Sequence, residues 1–256
     1  MFQRILATAL GAGIGVGLLI AALQHVALVP LILAAETYED GAASHHHADA
    51  TKTPANQALD IGAASAAAIG ALPAIVGQAH AHDQSPASDT EQSAWRPLFT
   101  TLATTLTAIG FGLMLAGAFA VSGRNVDGRE GLLWGLAGFA AFALAPAFGL
   151  PPELPGSVAA ELVSRQVWWI ATAGATLAAL VLMVFVRAPW APLLGVALLI
   201  APHLIGAPHP AAETGVVPGE LAAAFAARSL VVNAVFWALL GLATGALYAR
   251  LGRTAA

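Results

Sequence analysis

What most constrains this chain is a series of long stretches without Asp, Glu, Lys or Arg, because about 20 consecutive apolar residues form a helix that crosses the hydrocarbon of a bilayer. Residues 5 to 35, 97 to 123, 131 to 152, 166 to 186, 188 to 212 and 229 to 249 are such stretches, each with a core of Leu, Ile, Val, Phe and Trp. They delimit candidate spans at 5–34, 98–121, 131–149, 167–186, 189–206 and 229–248 within one integral membrane domain over residues 1–256. The expected fold is all-α, a polytopic membrane helix bundle of about six transmembrane helices, or five if 188–206 is not a span. That stretch is the doubtful one because Pro189, Pro192 and Pro202 leave only a short helix between them. Residues 61 to 82 are also uncharged, but they are Ala, Ser, Gly, Gln and His with few large apolar side chains, and are read as no span. The first stretch follows Arg4 and ends on Ala34 and Ala35 as a signal peptide would, yet its apolar core is about twice the usual length, so a retained helix is expected.

Basic residues set the orientation. With the N-terminus inside, Arg4, Arg124, Arg129, Arg187, Arg250 and Arg253 fall on the cytoplasmic side, and Lys52, Arg96, Arg165 and Arg228 on the other. Both chain ends are basic, which demands an even number of passes and predicts N-in and C-in. Small residues four apart allow close helix packing: Gly11 with Gly15, Gly13 with Gly17, Gly131 with Gly135, and Gly241 with Gly245. Trp95, Trp168, Trp169 and Trp190 lie near span ends, where amphipathic rings favour the interface.

Composition closes off several chemistries. The chain is 58% apolar and 9% charged, against roughly a quarter charged in soluble domains, which excludes an ordinary soluble enzyme. A net charge of −4 offers no basic surplus for nucleic acid. The absence of cysteine removes thiolate sites, and the lone lysine, Lys52, lies in a polar segment, so no Walker A motif exists. No zinc-protease pair, di-iron His box or Gly-x-Ser-x-Gly elbow occurs either, and nothing supports an enzyme or a bound cofactor.

The eight histidines carry the chemical information. The orientation puts all of them on the outer side or in the outer half of the membrane. His45, His46, His47, His80 and His82 lie in a His- and acid-rich outer segment, residues 36–96, that also starts with Glu36. His209 lies in the last outer loop. His25 sits about 30 Å up the first helix, and His203 lies in the outer half of the fifth stretch. Neutral imidazole suits cobalt, nickel, copper and zinc, and carboxylates can complete such a shell. The expected metal residues are therefore His25, Glu36, His45, His46, His47, His80, His82, His203 and His209, with loop histidines for capture and a bundle site near His25, Glu36 and His203. Structural roles compete: a helix-packing hydrogen bond for His25 and a capping or kink role for His203 after Pro202. Thr100, Thr101, Thr104, Thr105 and Thr107 are expected to bond their own helix or a neighbour. Arg165 and Arg228 are expected to snorkel outward, where Glu161 or Glu220 offers a partner.

Several segments resemble the predicted cobalt transporter subunit family CbtA. These are Val29-Pro-Leu-Ile-Leu-Ala-Ala-Glu36-Thr-Tyr38-Glu, and Gly131-Leu-Leu-Trp-Gly-Leu-Ala-Gly-Phe139 running on to Leu144-Ala-Pro-Ala-Phe-Gly-Leu-Pro-Pro-Glu153-Leu-Pro-Gly156. Arg165-Gln-Val-Trp-Trp169 and Pro202-His203-Leu-Ile-Gly-Ala-Pro208 extend the likeness over most of the chain. The resemblance implies a bacterial inner-membrane subunit of a cobalt (Co2+) uptake permease, acting with a small one-span CbtB-like membrane subunit in supply for cobalamin synthesis. Co2+ would then be the transported ion. The family is commonly described with five spans. The residues alone leave open a nickel or zinc transporter, or a non-transporting membrane metal sensor or scaffold.

Overall fold

The computed structural model describes residues 1–50, 88–210 and 215–253, with side chains for all of these except 40–50 and 88–94. Among the described residues all regular structure is helical: α1 (Phe2–Ala27), α2 (Val29–Ala50), α3 (Ser88–Ser122), α4 (Gly128–Phe139), a π-helical segment (Ala140–Leu144), α5 (Ala145–Ala147), α6 (Leu162–Phe185), α7 (Ala191–Ile205) and α8 (Gly219–Arg253). Helix is the required solution for an apolar chain in lipid, since each backbone N–H and C=O must be satisfied within its own segment.

Five stretches are long and apolar enough to cross a membrane: Phe2–Ala27, Trp95–Ser122, Gly128–Ala147, Leu162–Phe185 and Gly219–Arg253. The sixth expected span is the shorter helix α7, whose 15 residues reach about 22 Å against a hydrocarbon thickness of about 30 Å. It nevertheless runs back alongside α6: Gly195 packs on Met183 and the Ala179 carbonyl, and Pro202 lies beside Trp168. The chain therefore runs along the bundle in five long helices and the shorter α7, which lies antiparallel to α6. Both termini accordingly meet at one end, where the Arg4 guanidinium donates to the Tyr248 carbonyl at 2.5 and 2.8 Å and stacks 3.6 Å above the Tyr248 ring.

Two proline effects re-cut the expected spans. The stretch read as one helix from residue 5 to 34 breaks at Leu28, because Pro30 has no N–H to continue the ladder, and α2 then carries helix on to Ala50. In the third stretch Pro146 follows a π turn in which the Ala145 N–H reaches the Ala140 carbonyl. The wider turn absorbs the break and turns Phe142 into a hub, stacked on Trp237 at 5.6 Å and 7° and touching Phe111 and Trp169.

The core is held by glycine. On α4 and α8, Gly131, Gly135, Gly241 and Gly245 interlock so closely that a Cβ on any of them would meet the opposite backbone. Gly138 makes room for the Trp237 ring, and Gly13 and Gly17 do the same for Ile109 and Thr105 of α3. Gly15 and Gly174, by contrast, face open space. Helices α1, α3, α4 and α8 thus form a tight antiparallel core with Trp237, Phe119, Ile20 and Leu240 fully buried. The α6–α7 hairpin packs on that core through the π-helical segment and α5.

This seam predicts the response to substitution. Gly241→Val places a branched side chain against the backbone of Gly131 and Gly135, and should destabilise the protein by at least the 1–3 kcal/mol, roughly, of an overpacked core. Gly174→Ala should leave stability unchanged. Heating both in detergent and following the monodisperse fraction by size-exclusion chromatography reads the difference; equal profiles would contradict the seam.

Candidate functional site

The polar groups gather at the end of the bundle opposite the termini, where α6 begins and α7 ends. α6 starts there because the Glu161 carboxylate accepts the Val163 and Ser164 backbone N–H groups at 2.9 and 2.7 Å, satisfying two of the first-turn donors. One turn later Trp168 is buried, and its indole N–H donates to the Pro202 carbonyl at 3.4 Å, fastening the start of α6 to the end of α7. Gly149 lets the chain after α5 pass against the Trp168 ring and Ala207, leaving no space for a Cβ. Gly206, at φ 87°, ends α7 in a backbone conformation that favours glycine and sends the chain toward His209.

These elements build a groove of about 540 Å³ lined by Phe148, Gly149, Trp168, His203, Gly206, Ala207 and His209. The His203 ring stands edge-on between Phe148, 5.9 Å away, and Trp168, 6.1 Å away. His203 and His209 are both exposed, so their imidazoles meet solvent across one concave surface. An imidazole in its neutral form is a borderline donor that can replace a water on a divalent ion.

The remaining expected ligands are distributed elsewhere. The His25 Nδ1 atom lies 2.8 Å from the Ala21 carbonyl on its own helix, the packing bond expected as the competing role. That bond requires the proton on Nδ1 and leaves Nε2 as the lone-pair nitrogen of the neutral ring. Glu36 is taken up by Arg96, at 2.5 and 3.4 Å, which ties α2 to α3. Among the described residues no three His, Asp or Glu side chains gather into a group that could hold a metal ion, so His25, Glu36 and His203 do not form one site. The side chains of His45, His46 and His47, and all of His80 and His82, lie outside the described residues.

Other polar residues sort as follows. The Thr101 and Thr105 hydroxyls donate to carbonyls one turn back on α3, and Thr104 donates to Gln24 on α1, as expected for hydroxyls in lipid. Arg165 pairs with Glu153 at 2.6 Å rather than with Glu161, which is engaged as the helix cap. Arg228 reaches the Ala27 carbonyl at 3.4 Å rather than Glu220. Sequence reasoning missed the Glu153–Arg165 pair, which forms because the irregular segment after α5 brings Glu153 over the start of α6.

Five long apolar helices around a glycine-packed core, with an imidazole-bearing groove at one end, define a multi-pass membrane protein. The chain belongs to the CbtA family, described as probable cobalt transporter subunit, whose model matches residues 2–249. No curated protein and no solved structure matches it.

The cap at the groove's edge gives a pH prediction. Hydrogen bonds from the Ser164 and Val163 backbone N–H groups hold the Glu161 carboxyl below its ordinary pKa. Its contribution is therefore complete above the usual carboxylate range and is lost as pH falls through the lowered value. Amide exchange at Val163 and Ser164 should accelerate as pH falls through that point, after correction for intrinsic rates, and Glu161→Gln should lack the step. A pH-independent protection factor would contradict the assignment.

Proposed function

We propose that this protein is the membrane subunit of a Co2+ uptake permease in the bacterial inner membrane, taking the ion on the face that carries His203 and His209 and passing it inward. The observation that carries the reading is the placement of these two imidazoles in one groove of a chain whose family is described by cobalt transport. The end that joins Arg4 to Tyr248, and that also bears Arg124, Arg250 and Arg253, is read as cytoplasmic from its excess of basic residues. The groove then faces outward. The segment 36–96 with His45, His46, His47, His80 and His82 is read as a collector that raises local metal concentration, and His25, with Nε2 free, as a further imidazole below it.

The chemistry required is stepwise replacement of hydration. A groove donor pair removes only part of the water shell, which suits a site that must release its ion again. Inward movement of a divalent charge is favoured by about 2.3 kcal/mol per elementary charge per 100 mV of an inside-negative potential. No step makes or breaks a covalent bond, so the protein is read as a non-enzyme. The partner is read as a small one-span CbtB-like subunit, and the destination of the metal as cobalamin synthesis.

Radioactive cobalt uptake at submicromolar metal, with nickel and zinc as competitors and with or without the small subunit, tests this reading. His203→Ala with His209→Ala should raise the half-saturating cobalt concentration by about tenfold or more, the scale on which perturbed metal sites lose affinity. Removing residues 41–92 should depress uptake at low metal and spare it at high metal. Unchanged uptake in the double variant would overturn the groove as the entry site. Cobalt binding to the purified protein with no uptake in any combination would assign the chain as a sensor or scaffold, and preferential nickel or zinc uptake would reassign the cargo.

A further inference from the structure

On the face of α6 turned away from the histidine groove, a second and larger cavity of about 730 Å³ opens between the π-helical segment, the start of α6 and the outer part of α8. Its polar lining is Glu153, Arg165, Gln166 and Asn233. Its apolar lining includes Leu162, Ile170 and Leu230. The transport reading uses none of these residues.

Arg165 lies in the first turn of α6, at the start of a candidate span, and its ion pair with Glu153 is still about 30% exposed on each side chain, so both charges remain accessible. Asn233 is the only asparagine in any candidate span. Its amide nitrogen is satisfied on its own helix by the Ser229 carbonyl at 3.0 Å, which leaves the side-chain oxygen as the acceptor it brings to the cavity. Gln166 adds another amide oxygen. The cavity thus presents one guanidinium beside three oxygen acceptors, and below them apolar residues, with Leu162 and Ile170 more than half exposed.

We propose that this cavity is a binding site for a zwitterionic phospholipid with a primary ammonium headgroup, a phosphatidylethanolamine. The phosphate fits the Arg165 guanidinium, which is a planar multiple donor suited to phosphate oxygens. The ammonium has three N–H donors, and the cavity offers the Glu153 carboxylate and the Gln166 and Asn233 amide oxygens to receive them. An acyl chain continues along Leu162, Ile170 and Leu230. A bare cation fits less well because Arg165 repels it, and a purely anionic headgroup leaves the Glu153 charge opposed. Because the cavity lies between the α6–α7 hairpin and the core, a bound lipid wedges the two together.

The test uses the full-length protein, delipidated in detergent, with lipid adducts counted by native mass spectrometry. Dioleoyl phosphatidylethanolamine, its mono- and dimethyl forms, phosphatidylcholine and phosphatidylglycerol are titrated separately. Affinity should fall stepwise as N–H donors are methylated, by about tenfold from phosphatidylethanolamine to phosphatidylcholine. This series needs no substitution and so does not depend on a variant folding. Glu153→Gln should remove the preference for the primary amine while retaining phosphatidylcholine binding, and Arg165→Gln should weaken every phospholipid. Equal affinity across the methylation series, stronger binding of phosphatidylglycerol, or competition by free O-phosphoethanolamine at the lipid's own concentration would each overturn the proposal. The measurement involves no metal, so its failure leaves the transport reading standing, and failed cobalt uptake leaves this site untouched.

Discussion

The close approach of α4 and α8 is the constraint on which the rest of this structure depends. In lipid, apolar side chains gain little by meeting each other instead of acyl chains, so helices associate through packing density. Four glycines, Gly131, Gly135, Gly241 and Gly245, let the two backbones touch, and that contact sets the height and rotation of everything around it. Trp237 is carried into the centre beneath Gly138, where it meets Phe111, Phe142 and Phe236. Phe142 can stack flat on it because the π turn has shifted the ring by one position relative to a regular helix. The same turn presents Phe142 to Trp169, which is how the α6–α7 hairpin finds its place.

Polarity is partitioned between the two ends with different chemistry at each. At the end holding the termini, Arg4 is consumed by a structural job, closing α1 onto the last turns of α8 through the Tyr248 carbonyl and ring. At the opposite end each arginine has a local partner: Arg96 with Glu36, Arg165 with Glu153, and Arg228 with the Ala27 carbonyl. The ion pairs of Arg96 and Arg165 offset two of these charges, and His203 and His209 add imidazole lone pairs at that end. A positively charged rim would oppose a divalent ion, and pairing Arg96 and Arg165 with carboxylates reduces that repulsion.

Much of this was legible residue by residue. Charge-free stretches mark the five long helices, because hydrocarbon excludes charge wherever the helix goes. Gly131, Gly135, Gly241 and Gly245 announced a seam by their spacing, although Gly11 and Gly15 share that spacing and Gly15 faces open space. Helix rotation separates the two cases, and spacing carries no information about it. The prolines marked α7 as short, but its path back along α6 depends on Gly195 meeting Met183 and on Trp168 meeting Pro202.

The sequence by itself determined that the chain is an all-α membrane helix bundle with five long apolar helices, since these follow from local apolar length. Tertiary structure alone decided which polar residues meet. His203 shares a groove with His209 and not with His25 and Glu36, and Arg165 turns to Glu153 and not to Glu161. Those pairings depend on which helix faces are adjacent and how each is rotated, quantities set by packing between segments far apart in the chain.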